Sequence, residues 1–91
     1  MIEQYVGQNV FVRTVTHHYT GKLQAADEKW LRLEDAAWIA DDGRFADCLA
    51  AGLPVEVEPF PGEALIGVGA VLDVSIWTHP LPREQKCPLR S

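Results

Sequence analysis

The sequence has little positive charge. Its 91 residues include eight Lys and Arg against 13 Asp and Glu, which gives a net charge of −5 at pH 7. Nucleic-acid-binding proteins usually present a basic face, because contacts to phosphate supply much of their affinity. The basic residues are also uneven, with Arg83, Lys86 and Arg90 near the end of the chain and only Glu84 opposing them. The composition therefore lacks the overall signal of a nucleic-acid binder and is that of a soluble acidic protein.

Cysteine is scarce and long apolar runs are missing. Cys48 and Cys87 match no zinc or redox spacing and are too few for a disulfide framework, so we expect reduced thiols in the cytoplasm. No apolar run approaches the roughly 18 residues that a membrane-spanning helix needs. Residues 1–4 lack the basic and apolar regions of a signal peptide. These absences predict a cytoplasmic protein, and a self-contained chain of this size is compatible with a bacterial or phage source.

The length allows one domain with one core. A domain of this size buries only about 60% of its unfolded surface, so a partner subunit would add useful stability. Pro80, Pro82 and Pro88 prevent regular structure near the end of the chain. We therefore predict a domain over residues 1–78 and a Pro-rich tail over residues 79–91 that is extended or disordered.

Alternation of apolar and polar residues predicts five strands. The predicted strands cover residues 9–16, 17–26, 30–39, 55–59 and 66–76. The first strand has apolar groups on both faces, which indicates a central position in a sheet. Pro59 restricts the fourth strand to an edge or an end. The fifth strand has the longest unbroken stripe of period two.

Helical spacing appears at two places in the chain. Phe45, Cys48 and Leu49 form an apolar stripe that predicts a helix of two to three turns over residues 43–51, between the third and fourth strands. A short helical turn is predicted over residues 2–6. The fold class that follows is mostly β, a small and strongly bent antiparallel open barrel of five strands with one inserted helix.

An open barrel of five strands has two unpaired edges, which we assign to the fourth and fifth strands. Exposed edges are an aggregation hazard unless another chain pairs with them. Pairing the fourth strand of one subunit with the fifth strand of the next satisfies both edges. Repeated with rotation, this contact closes a homo-oligomeric ring.

Two short motifs carry a family resemblance. Residues 19–23 form an aromatic-x-Gly-x-Leu run, and an Asp follows six residues after its Gly. A Gly-x-Gly at residues 67–69 precedes further apolar alternation. In these features the chain resembles the Sm and Sm-like family over roughly residues 2–77. The matching motif positions are Tyr19, Gly21, Leu23, Asp27 and Gly69.

The resemblance implies a ring that binds RNA, but the base-reading positions differ. In the family an aromatic stacker, an Asn after the Asp and the Arg of the second motif hold a uridine. The Asn position is Leu31 here and the Arg position is Val68. Leu cannot read a base edge, and Val neither stacks on a base nor attracts phosphate. The resemblance therefore implies binding without uridine specificity.

Tryptophan and the neighbouring cations are the candidate ligand-binding residues. Trp30 with Lys29 and Arg32 could hold RNA, single-stranded nucleic acid or a small nucleotide. Alternatively, Trp30 belongs to the core or to a subunit interface. Trp38 and Trp77 each end a strand and are predicted to cap the barrel. The competing function is a protein-interaction or structural ring that binds no nucleic acid.

The sequence shows no set of residues that indicates an enzyme. Cys48 with His17 or His18 could form a thiol nucleophile, but its place on the apolar helix stripe favours a packed thiol. These histidines and His79 have no carboxylate or cysteine at metal-ligand spacing. The Gly-x-Gly at residues 67–69 lacks the Lys and helix of a phosphate loop and is interpreted as a strand bulge. We therefore expect neither catalysis nor a metal or other cofactor.

Overall fold

The chain forms one bent antiparallel sheet with one helix. The computed structural model describes residues 2–41, 45–52, 56–60 and 62–84. In chain order the elements are a 3₁₀ turn (Ile2–Tyr5), β1 (Asn9–Thr14), β2 (His18–Ala26), β3 (Trp30–Asp41), α1 (Phe45–Ala51), β4 (Glu56–Pro59), β5 (Ala64–Gly67), a second 3₁₀ turn (Val68–Ala70) and β6 (Val71–Ile76). The mostly β fold class, the first helical turn and the helix between β3 and β4 are confirmed.

The order of the strands makes the sheet an open barrel. The strands lie in the order β4-β3-β2-β1-β6, and β5 pairs with the other half of β3. On the edge away from β2, β3 therefore has two partners, with Leu33 opposite Ala64 in β5 and Ile39 opposite Val57 in β4. β1 lies between β2 and β6, as its two apolar faces predicted.

The predicted fifth strand is wrong in its extent. Val68–Ala70 form a 3₁₀ turn that divides residues 66–76 between β5, which runs along β3, and β6, which runs along β1. The interpretation of residues 67–69 as a strand bulge is corrected by the same turn. β5 also begins at Ala64, two residues before the predicted start of the fifth strand. Residues 43–44 of the predicted helix and residue 55 of the predicted fourth strand lie outside the described residues.

The sheet bends where Gly21 in β2 faces β3. A Cβ added to Gly21 would lie 2.9 Å from Cβ of Leu33 and 3.3 Å from the Cα of Ala36. In β3 the pairing register shifts at the same point, and Asp35 takes a left-handed conformation with φ of 52°. Asp tolerates this conformation better than most residues. Gly21 thus permits the close approach of β2 to β3, and the left-handed Asp35 lies at the same point in β3. Here β3 changes its partner from β5 to β4.

Two apolar clusters lie on opposite faces of the sheet. The barrel core fills the inside of the bend and consists of Val10, Val12, Leu23, Leu31, Leu33, Ala36, Ala64 and Ile66. The outer core lies on the other face and consists of Phe11, Ala37, Ile39, Cys48, Val57 and Trp77. β1 serves both clusters because successive side chains of a strand point to opposite faces.

The helix and the C-terminal segment cover the outer core. The Trp77 ring stacks on Phe11 with the centroids 5.6 Å apart, and its Nε1 donates to the Pro80 carbonyl at 3.2 Å. Nε2 of His79 lies 2.8 Å from the carbonyl oxygen of Leu49 in α1. Residues 79–84 contain no helix or strand, and His79, Pro80 and Arg83 contact the rest of the domain. Residues 85–91 lie outside the described residues.

Candidate nucleotide-binding site

The turn between β2 and β3 is shaped by Asp27. Its Oδ1 accepts hydrogen bonds from the backbone N–H groups of Lys29 at 2.7 Å and Trp30 at 2.8 Å. These two hydrogen bonds hold the pKa of the Asp27 carboxyl below its usual value, and the bond from Lys29 has the larger effect. The Asp27 backbone N–H also donates to the Trp30 carbonyl at 3.0 Å. Asp27 therefore fixes the turn and sets where β3 begins.

The first two residues of β3 lie in opposite environments. The Trp30 side chain points outward and is 51% exposed, whereas Leu31 is 2% exposed and belongs to the barrel core. The interpretation of Trp30 as a core residue is thereby wrong. The exposed indole can still contact a ligand or lie in a subunit interface. Leu31 could not contact a base without leaving the core.

The two motif regions meet at one end of the barrel. The Val68 backbone N–H donates to the Lys29 carbonyl at 2.9 Å, and Gly67 pairs with Trp30 across β5 and β3. Val68 packs partly buried against the barrel core, while Gly69 is exposed. The second motif therefore lies beside the Asp27 turn, although about forty residues separate them in the sequence.

A pocket of about 260 Å³ lies on the outer surface beside this junction. Its lining residues are Ala25, Ala26, Asp27, Trp30, Arg32 and Leu65. Trp30 and Arg32 lie on one face because they are two residues apart in β3. Arg32 pairs with Ala25 on one side and with Leu65 on the other. Leu65 is 63% exposed, so much of the pocket wall is apolar.

Charged groups surround the pocket. Nε of Arg32 lies 3.6 Å from Oε2 of Glu63, which precedes β5. Lys29 is exposed in the turn but does not line the pocket. The structure thus brings together two of the three predicted ligand-binding residues, Trp30 and Arg32, and places Lys29 beside them. Leu65 and Glu63 were not predicted, because their segment lies before the predicted start of the fifth strand. Only an extension of that strand to Leu65 would have placed the Leu65 side chain on the outer face.

The other candidate residues lie elsewhere and serve the fold. The His17 ring contacts Thr16 Oγ1 at 2.8 Å and the Tyr19 hydroxyl at 2.7 Å, and it meets Trp38 edge-on at 5.0 Å. Burial, and next the charge of His18, lower the pKa of His17. This ring therefore belongs to an aromatic cluster on the sheet.

Cys48 is buried in the outer core, which agrees with a packed thiol. Among the residues that the structure describes, no group of three His, Cys, Asp or Glu side chains is arranged to hold a metal ion. No helix in the described ranges is long and apolar enough to cross a membrane.

Comparisons with known proteins point to one family of structures. No family model matches the sequence, and no curated protein matches it significantly. The structure of a heptameric archaeal Sm protein is similar at a TM-score of 0.61 and 25% identity, over 82% of this chain and 93% of that one. The P. aerophilum SmAP1 heptamer is similar at a TM-score of 0.60 and 24% identity, over 82% and 85%. The resemblance in the motifs is thereby confirmed, and the chain has the fold of the Sm-like proteins.

Proposed function

We propose that this chain is a cytoplasmic, non-enzymatic protein that forms a closed ring of identical subunits and binds RNA, single-stranded nucleic acid or a small nucleotide without uridine specificity. Two observations support the proposal. Both similar structures are of heptamers, and this sheet offers an open edge on either side. An exposed Trp30 lies over a pocket where the two motif regions meet. The exposed Trp30 is the observation that carries the binding function.

The hydrogen-bonding groups of the two open edges support ring closure. In antiparallel pairs the residues that bond to the partner strand alternate with residues whose backbone groups point away. Because the Trp77 N–H donates to the Asn9 carbonyl, the N–H groups of Val74 and Ile76 point to the open side of β6. By the same alternation, the bond from Val68 to Lys29 directs the N–H groups of Leu65 and Gly67 to the open side of β5.

β5 suits the subunit contact better than the segment that the sequence indicated. The Phe60 N–H donates to the Ala36 carbonyl, so the outward positions of β4 include Pro59, which has no N–H. β5 offers two outward donors instead. We therefore place β5, together with β4, against β6 of the neighbouring subunit.

A proline substitution on β6 tests the ring. Val74→Pro removes an outward N–H without removing a bond to β1, so it should release monomers. Val74→Ala is the matched control, because it loses more of the side chain but keeps the N–H. Native mass spectrometry should find rings for the wild type and for Val74→Ala but not for Val74→Pro, with circular dichroism verifying the fold. A wild-type protein that is a stable monomer at micromolar concentration contradicts the ring.

The pocket supports weak binding that tolerates different bases. Stacking of a base on an exposed aromatic ring is worth about 1–3 kcal/mol. We assign the phosphate contact to Lys29, because Arg32 already lies beside Glu63. With a net charge of −5 and few cations at the site, binding should release few counterions and depend only weakly on salt.

Tryptophan fluorescence tests the binding. Oligo-U, oligo-A and a panel of mono- and cyclic nucleotides should each quench the fluorescence of Trp30. Trp30→Ala lacks this reporter, so its binding is followed by isothermal titration calorimetry and should be abolished while the ring stays assembled. Val15→Ala, which truncates another exposed apolar side chain, should bind as the wild type does. Tight, uridine-selective binding would contradict the assignment of Leu31 and Val68.

The alternative is a protein-interaction or structural ring. The acidic composition favours it, as do the exposed apolar side chains of Trp30 and Leu65 on one surface. If none of the nucleotides or oligonucleotides binds and native mass spectrometry finds rings, this alternative replaces the binding proposal.

A further inference from the structure

One feature of the pocket goes beyond stacking and phosphate contact. Arg32 and Glu63 place a guanidinium and a carboxylate side by side at its edge, with 49% and 54% of their side chains exposed. Their closest contact, from Nε of Arg32 to Oε2 of Glu63, is 3.6 Å, which is longer than an ordinary hydrogen bond. In the described part of the chain, the outer N–H groups of Arg32 have no other partner. Donors and acceptors are therefore both available to a ligand.

The position of this pair relative to Trp30 limits what it can contact. Side chains two residues apart on a strand lie about 6.5 Å from each other on the same face. A base stacked on the Trp30 indole therefore has one edge within hydrogen-bond reach of the Arg32 head group. Glu63 lies beside that head group, so it can contact the same edge.

We propose that the Arg32–Glu63 pair makes this pocket prefer guanine and disfavour uracil. The inference rests on the proposed nucleotide binding. The pairing edge of guanine carries one acceptor, O6, beside two donors, N1–H and the 2-amino group. An Arg N–H donor beside two carboxylate oxygens complements this pattern at all three positions. A carboxylate can only accept hydrogen bonds, as the two N–H donors of guanine require, and an Arg is a favoured partner of the guanine oxygen.

The other bases match the pair less well. Uracil has one N–H between two carbonyl oxygens, so a carboxylate that accepts from the N–H also approaches an oxygen. Adenine has one amino donor and one acceptor, the ring nitrogen N1, so it makes one contact fewer than guanine. Cytosine can be read with one carboxylate oxygen and two Arg donors, but its single ring offers less area for stacking on Trp30. The expected order is therefore guanine, then cytosine, then adenine and uracil.

Mononucleotide titrations test the preference, with the assembled protein and quenching of Trp30 fluorescence as the readout. GMP should bind roughly tenfold more tightly than UMP, because a well-placed bidentate contact discriminates by about that factor or more. IMP, which lacks only the 2-amino group, should fall between them. Glu63→Gln should remove most of the preference for GMP over UMP while keeping binding itself, since stacking on Trp30 remains.

Glu34→Gln is the matched control, because Glu34 is another exposed carboxylate of the same sheet and accepts a hydrogen bond from Gln24 outside the pocket. It should keep the wild-type preference. Equal affinity of the wild type for GMP and UMP, or an unchanged ratio in Glu63→Gln, overturns the guanine inference but leaves nucleotide binding in place. Failure of GMP, UMP and IMP to bind, together with failure of the oligonucleotides, overturns both.

Discussion

The barrel core and the outer core differ in how the chain builds them. Every buried member of the barrel core comes from a strand, and the strands that contribute them are neighbours in the sheet. The outer core has strand residues as its floor, but its cover comes from α1 and from the segment after β6. The barrel core therefore depends on the bend of the sheet, whereas the outer core depends on the docking of two additional segments.

This difference separates stability from assembly. The bend at Gly21 and Asp35 sets where β5 and β6 lie, and these strands carry the open edges proposed for the ring. The cover over the outer core packs on Phe11 through Trp77 and lies at Leu49 through His79. In the described ranges it reaches the proposed subunit contact only at β4, through Val57 and through Arg83 at the Phe60 carbonyl. Damage to the barrel core should therefore cost both the fold and the ring, and damage to the outer core should cost mainly stability.

Trp77→Ala should give the largest loss of stability. Trp77 is buried at 2% exposure against Phe11, and truncation of a buried Trp costs about 3–5 kcal/mol. Urea unfolding should show this loss, and native mass spectrometry of the folded fraction should still find rings. Trp77→Phe, which keeps a stacked ring but loses the bond to Pro80, should lose less. Monomers that keep the wild-type β signature in circular dichroism would show that the outer core also supports assembly.

Gly21→Val should cost somewhat less stability but more function. The added Cβ would meet Leu33 at 2.9 Å, and two further methyl groups need space that the bend does not leave. We expect a loss of about 3 kcal/mol from overpacking and strain. Because the edges move with the bend, the surviving protein should assemble poorly. Gly21→Ala should show a smaller loss in the same direction. An unchanged melting temperature of Gly21→Val would contradict the close approach of β2 and β3.

The strands of the barrel core could be predicted because each carries its pattern locally. Alternation located β1, β2 and the start of β3 to within two residues, and the largest difference is that β1 ends at Thr14 rather than at residue 16. The same alternation concealed the second 3₁₀ turn, because Val68 faces the barrel core just as Ile66 and Val74 do. The segment is divided because β5 pairs with β3 and β6 pairs with β1. These pairings join residues far apart in the sequence, so no local pattern reveals them.

The outer core could not be predicted, because its members lie far apart in the sequence. Phe11, Cys48 and Trp77 belong to three separate segments of the chain, and no spacing relates them to one another. The site shows the same division. Period two places Trp30 and Arg32 on one face, but the pairing of β5 with β3 is what brings Leu65 to the pocket and Glu63 to Arg32.

Arg83→Met should have a moderate effect, confined to the C-terminal cover. The Arg83 guanidinium donates to the Ala36 carbonyl at 2.9 Å and to the Phe60 carbonyl at 3.0 Å, and it thus ties the C-terminal segment to β3 and to the end of β4. Loss of these partly exposed bonds should cost about 1 kcal/mol. Hydrogen exchange should quicken at Trp77 more than at Val10. An equal change in the exchange rate at Trp77 and Val10 would mean that Arg83 does not hold the cover.

The smallest effect should come from Asp73→Asn on the polar part of the outer face. Arg13 in β1 donates from Nε to both carboxylate oxygens of Asp73 in β6, at 2.9 and 3.0 Å. These hydrogen bonds hold the pKa of Asp73 below its usual value of 3.8. A carboxyl whose pKa is lowered by folding stabilises the protein above that usual value and loses the contribution as the pH falls through the lowered pKa. The side chains are 33% and 40% exposed, so solvent screens the pair and its contribution should be about 0.5 kcal/mol. Asp73→Asn should therefore be slightly less stable than the wild type in urea unfolding at pH 7, and the difference should shrink in acid below the usual pKa. A difference that persists undiminished in acid would assign it to the packing of Asp73 rather than to its charge.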